Sequence, residues 1–144
     1  TEQASYVIQA IAYGLAAGVD KILVFQHYDD GNAEAFGLLR NNDSARPQYA
    51  AYSLAATYFR DITSISLSSQ GTAHIVTAHT NTSGVNRRIT ALWNNGRTAT
   101  TVNVQAAASS AVSCRWAAWA ILLMTSSPYR ICGFSTASWS RRTP

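Results

Sequence analysis

Apolar residues at Ala4, Val7, Ile8, Ile11, Ala12, Leu15 and Ala16 recur at i, i+3, i+4 and i+7. That spacing gathers them into one stripe on a helix, so the pattern predicts a helix over residues 1–18. Thr1 is placed to cap its start, and Glu2 sits where the helix dipole favours a negative charge. Gly18 suits the left-handed position just past the end. A short continuous apolar run follows, Ile22-Leu23-Val24-Phe25. A run apolar on both faces is the signature of a strand inside a covered parallel sheet. It gives way at once to Gln26-His27-Tyr28-Asp29-Asp30-Gly31, a polar and aromatic cluster. After a loop to about Ala45, Arg46-Pro47 opens a second predicted helix, with Pro tolerated in the first turn. Tyr49, Tyr52, Leu54, Ala55, Tyr58 and Phe59 are its expected buried surface.

Beyond Asp61 the period falls from 3.6 to 2. Ile65 and Leu67 alternate with serines, and further extended runs cover His74 to His79, Arg88 to Trp93 and Thr98 to Val104. Alternation of this kind predicts antiparallel strands with one buried face, here expected as part of a sandwich. Asn94-Asn95-Gly96 is the expected hairpin turn, because Asn and Gly tolerate positive φ. The boundary between the helical and β parts is predicted near Phe59 to Ile62. From Cys114 to Pro144 the composition shifts to Arg, Ser, Trp and Cys, with no acid and no Asn. This tail is read as aberrant, the product of an out-of-frame translation.

Composition narrows the function classes. All seven acids lie in the first 61 residues with four basic residues, leaving that part at −3; the rest carries seven Arg and no acid, hence +7. Those Arg residues (87, 88, 97, 115, 130, 141 and 142) are scattered and no helix aligns them, so nucleic-acid binding is not expected. No apolar stretch reaches the roughly 18 residues of a membrane span, and no secretory signal pattern opens the chain. With no initiator Met and a helix already under way at Thr1, the start of the protein is expected upstream.

Four stretches carry a resemblance: Thr1 to Tyr6, Gly18 to Phe25, Phe36-Gly37-Leu38-Leu39, and Arg46-Pro47-Gln48-Tyr49-Ala50-Ala51-Tyr52. Their order and phrasing resemble the end of the catalytic barrel in clan A glycoside hydrolases, of the cellulase-like and xylosidase-like kind. The line Ile89 to Gly96 is similar to one in the β-sandwich that often follows that barrel. The resemblance covers roughly residues 1–112 and implies a fold of α/β plus all-β class. Residues 1–60 would be the end of a TIM barrel (seventh helix, eighth strand, eighth helix), and 61–113 part of an antiparallel β-sandwich, before the irregular tail 114–144. It also implies a secreted or extracytoplasmic protein with a carbohydrate substrate and no cofactor. In that family the acid/base and nucleophile glutamates end the fourth and seventh strands, and both would lie before Thr1.

Glycoside cleavage needs two carboxyl groups flanking the bond, about 5 to 9.5 Å apart. Asp29 and Asp30 are neighbours whose side chains would diverge on a strand. Glu2 is explained by its helix start and Glu34 by a loop, so no catalytic residue is expected in this chain. The resemblance implies that Gln26, His27, Tyr28 and Asp29 are the chain's share of a substrate pocket, since barrel sites form at strand C-termini. His74 and His79 would face opposite sides of a strand and cannot share a metal. Cys114 and Cys132 lack C-x-x-C spacing. Asn42-Asp43-Ser44 and Asn81-Thr82-Ser83 are glycosylation sequons that mark surface loops. The expected function is a fragment of a glycoside hydrolase acting on poly- or oligosaccharides, inactive alone, with no membrane or nucleic-acid partner. The rival is a non-enzymatic β-module binding carbohydrate or protein.

Overall fold

The computed structural model describes residues 2–29, 36–104, 112–116 and 121–124. They fall into two compact units, divided between Tyr58 and Phe59.

The first unit holds two helices, α1 (Glu2–Ala16) and α2 (Pro47–Tyr58), which pack on one another. α1 buries Ile8, Ile11 and Ala12 from the predicted stripe. It ends in a Schellman closure: the Gly18 amide donates to the Leu15 carbonyl at 3.1 Å and the Val19 amide to Gly14 at 3.0 Å, with Gly18 at φ +86°. Gly18 takes that conformation without the steric cost a Cβ would bring. Of the surface expected for α2, Ala55 and Phe59 are buried and the rest differs. Gln48, Ala51 and Ala55 are buried, whereas Tyr49 is exposed and Tyr52, Leu54 and Tyr58 are only half-buried. Gln48 apart, small side chains take the buried positions of α2, and the larger ones stay partly or fully exposed.

The segment Ile22–Phe25 is not a strand. Ile22 and Val24 are half-buried, but Leu23 is 93% and Phe25 85% exposed. Among the described residues, 20–25 make no backbone hydrogen bond. An apolar run states what a strand would bury, yet a parallel strand exists only where neighbours pair its edges. Here one side of the extended segment leans on α1, with Ile22 Cδ1 against Gly14, and the other faces outward. The expected terminal portion of a barrel is therefore overturned. The described chain is a small α+β fold, two helices and an antiparallel sheet.

In the second unit β1 (Ile62–Gln70), β2 (Ala73–Thr82) and β3 (Val85–Asn94) form an antiparallel meander. The backbone of β6 (Ile121–Met124) pairs antiparallel with β3, giving the order β1-β2-β3-β6. β4 (Thr100–Val104) pairs only with β5 (Val112–Trp116) in a separate ribbon. The register places Ile65, Ala78 and Ile89 in one row and Leu67, Val76 and Ala91 in the next, on the same face. Val76, Ile89 and Leu92 are wholly buried, each stabilising the sheet by roughly 1.5–3 kcal/mol. Every residue from Ile89 to Asn94 is buried, so both faces of β3 are covered.

The described strands form a four-stranded sheet and a separate two-stranded ribbon. One expectation fails in this unit. Asn94-Asn95-Gly96 joins no paired strands, since β3 and β4 lie in different sheets. The Asn94 side chain organises that bend instead. Its Oδ1 accepts from the Gly96 amide at 2.8 Å and the Thr72 hydroxyl at 2.7 Å, and its Nδ2 donates to the Thr98 carbonyl at 2.8 Å. The hairpins lie at Gly71-Thr72 and at Ser83-Gly84. In the latter both central residues have positive φ, 52° and 80°, which matches the twist of the flanking strands. All of β6 and the last three residues of β5 fall in the stretch read as an aberrant tail; the remainder of residues 114–144 lies outside the described residues.

Candidate functional site

Gln26, His27, Tyr28 and Asp29 run side by side with residues 37–39. The Leu38 amide donates to the Gln26 carbonyl at 3.0 Å, the Leu39 amide to His27 at 2.8 Å, and the Asp29 amide to Leu39 at 3.0 Å. Leu39 in turn bridges antiparallel to Ala45. The cluster thus sits on a miniature ladder rather than at the end of a barrel strand. Gln48, the buried polar residue of α2, donates from Nε2 to the Gly37 carbonyl at 3.0 Å and ties the ladder to the helix.

Asp29 is the centre of this clamp. Its Oδ2 accepts from Arg46 Nη2 at 2.6 Å, and its Oδ1 from the Gly37 amide at 2.9 Å. The Arg46 bond is the main reason its carboxyl is held below the ordinary carboxylate pKa; partial burial opposes the shift, and the Gly37 amide adds to it. A carboxylate with both oxygens engaged and lowered in pKa is a poor general acid, and it holds the loop. Arg46 Nε finds no acceptor among the described residues.

His27 and Tyr28 face outward. Both are exposed, and their rings meet edge to face at 4.8 Å with an interplanar angle of 82°. The Tyr28 hydroxyl has its pKa raised, chiefly by hydrogen bonding to the Asp43 carboxylate and then by its charge. Gln26 is half-buried. The structure therefore divides the four predicted residues: two present themselves, one is partly covered, and one is spent on the scaffold.

Sequence reasoning missed Arg46, Gly37, Gln48 and Asp43. An Asp–Arg pair separated by 17 positions has no local signature. The only available sign was an Arg placed directly before the Pro that opens α2.

Elsewhere, His74 and His79 lie on opposite faces of β2. His74 stacks on Trp93 across the strands, centroids 5.5 Å apart and 14° from parallel, with Asn95 Nδ2 3.0 Å from its Nε2. Trp93 is 3% exposed and belongs to the core. Among the described residues no three His, Cys, Asp or Glu gather as metal ligands, and no helix is long and apolar enough to cross a membrane. The chain matches no protein-family model, no curated protein and no solved structure.

Proposed function

We propose that the chain is a non-catalytic portion of a carbohydrate-active hydrolase, without glycosidase activity of its own, whose His27–Tyr28 surface contacts sugar. The observation carrying this reading is the pairing of two exposed rings on a loop fixed by backbone bonds and by the Asp29–Arg46 clamp. Aromatic faces stack on sugar C–H surfaces while Gln26 and the Tyr28 hydroxyl offer hydrogen bonds, the mix such sites use. The likeness of the four sequence stretches to clan A glycoside hydrolases supplies the substrate class. Three of the described acids already have partners: Asp29 is held by Arg46, Asp43 by the Tyr28 hydroxyl, and Asp61 is exposed beside Arg60 at 3.9 Å.

The test is a titration of the full chain with xylo- and cello-oligosaccharides followed by NMR, alongside an aryl-glycoside turnover assay. Shifts confined to His27, Tyr28 and their neighbours, with no turnover, support the proposal. Turnover above background, or oligosaccharide shifts confined to β1–β3, overturns it. The rival reading, a sugar-binding β-module, calls for an exposed aromatic on the sheet, and Trp93 of β3 is 3% exposed and stacked on His74, which favours the first reading.

A further inference from the structure

The two sequons of this chain are built differently, and the difference bears on covalent modification. Asn42 is exposed at the tip of a tight turn closed by the Asp43 amide donating to the Arg40 carbonyl at 3.0 Å. Its Oδ1 accepts from the Ser44 amide at 3.2 Å and from the Ser44 hydroxyl at 2.7 Å. Arg40 Nη1 donates to that same hydroxyl at 3.2 Å, which directs the hydroxyl hydrogen towards Asn42. Asn42 Nδ2 has no acceptor among the described residues. Asp43, the middle residue, has φ +62° and interacts with the Tyr28 hydroxyl, so its charge is engaged away from the acceptor amide.

Asn81 is committed in the opposite sense. Its Nδ2 donates to Asn86 Oδ1 at 2.9 Å, and its Oδ1 accepts from the Gly84 amide at 3.0 Å. It pairs across to Asn86 within the β2–β3 ladder. Modification there would break both bonds and crowd the turn.

We propose that Asn42 is an acceptor for an N-linked glycan on the folded chain and that Asn81 is not. Two donors on Oδ1 draw electron density from the amide and make an Nδ2 proton easier to lose. The donor would be a lipid-linked pyrophosphoryl oligosaccharide. Transfer forms a bond between Asn42 Nδ2 and the anomeric carbon, and breaks the bond from that carbon to the pyrophosphate oxygen. One Nδ2 proton is released, and the lipid pyrophosphate departs. This inference is independent of what His27 and Tyr28 bind.

The experiment treats the folded full chain with a single-subunit oligosaccharyltransferase of N-x-S/T specificity and its lipid-linked donor. Synthetic peptides spanning residues 38–48 and 77–88 serve as unfolded references, and occupancy is read by peptide mass mapping. The expected ratio of Asn42 to Asn81 modification rises at least about tenfold from peptides to folded chain, the order of breaking one or two hydrogen bonds. Ser44→Ala abolishes modification at Asn42, and Arg40→Ala lowers it. An unchanged ratio, or a bare Asn42 on the folded chain, overturns the proposal.

Discussion

Replacing Gly37 by alanine tests whether the 26–29 cluster is held by the ladder described above. Gly37 is buried, and a Cβ built on it would press on the Asp29 amide nitrogen, lie 2.5 Å from the Tyr28 carbonyl carbon and 2.7 Å from the Leu39 oxygen. All three are backbone atoms, so no side-chain rotation relieves the contact. Restoring ordinary van der Waals separation of at least 3.4 Å requires the two segments to part by about 1 Å. Hydrogen bonds now at 2.8 to 3.0 Å would then exceed useful length. Three backbone bonds bridge the segments (Leu38 to Gln26, Leu39 to His27, Asp29 to Leu39). At roughly 0.5–1.5 kcal/mol each, the local loss is about 1.5–4.5 kcal/mol. Native-state hydrogen exchange reads this directly. The Leu38, Leu39 and Asp29 amides should exchange about tenfold to a thousandfold faster in Gly37→Ala. Amides of Val76 and Ala91 in β2 and β3 serve as internal controls and should hold their rates. Unchanged protection at Leu38 and Leu39 would show that the ladder does not position the cluster, and the division of roles among its residues would fall with it.

Gly14→Ala should behave oppositely. Its Cβ meets mainly the mobile tip of Ile22 at 2.9 Å, while alanine gains up to about 1 kcal/mol in a helix interior, so the melting temperature should rise or hold. Thr90 is wholly buried, and its Oγ1 has no partner among the described residues; Thr90→Val should raise unfolding stability by about 1 kcal/mol in a urea titration. Asp29 has a depressed folded pKa, so its contribution is present above the ordinary carboxylate pKa near ~4 and is lost as pH falls through the lower folded value. Leu39 amide protection should decline in that acid window, and Asp29→Asn should remove the dependence. Tyr28 has a raised pKa, so its stabilising contact persists below about 10 and is lost above it. The ultraviolet titration difference between the chain and its Tyr28→Phe variant should place this ionisation on the alkaline side of the ordinary tyrosine value of about 10, and Asp43→Asn should return it.

Local order was readable where local rules decide it. The stripe from Ala4 to Ala16, the Pro47 start and the Gly18 stop specify both helices, because 3.6-residue periodicity and end signals act within a few positions. Alternation around Ile65 and Leu67 marks strands for the same reason. What failed was pairing. Ile22–Phe25 is as apolar as an interior parallel strand, yet its neighbours in the fold are a helix on one side and no described strand on the other. Turn placement failed similarly. Asn94-Asn95-Gly96 has better hairpin chemistry than Ser83-Gly84, but Asn94 is recruited by Thr72, 22 residues earlier, and bends the chain out of the sheet.

The same logic explains why the predicted site is coarse as a list of roles. Gln26, His27, Tyr28 and Asp29 are alike in sequence, being four polar or aromatic residues in a row. Successive residues here do not simply alternate: His27 and Tyr28 both stay exposed with their rings in contact, while Gln26 and Asp29 are half-buried, so partners rather than position divide the run. Asp29 turns towards Arg46 and Gly37, and those partners lower its pKa and engage both oxygens. With Asp29 spent in this way the backbone of the cluster is held, and the Tyr28 hydroxyl adds its own contact with Asp43. A charged residue that reads as chemistry in the sequence is here the anchor that lets two aromatic neighbours remain exposed.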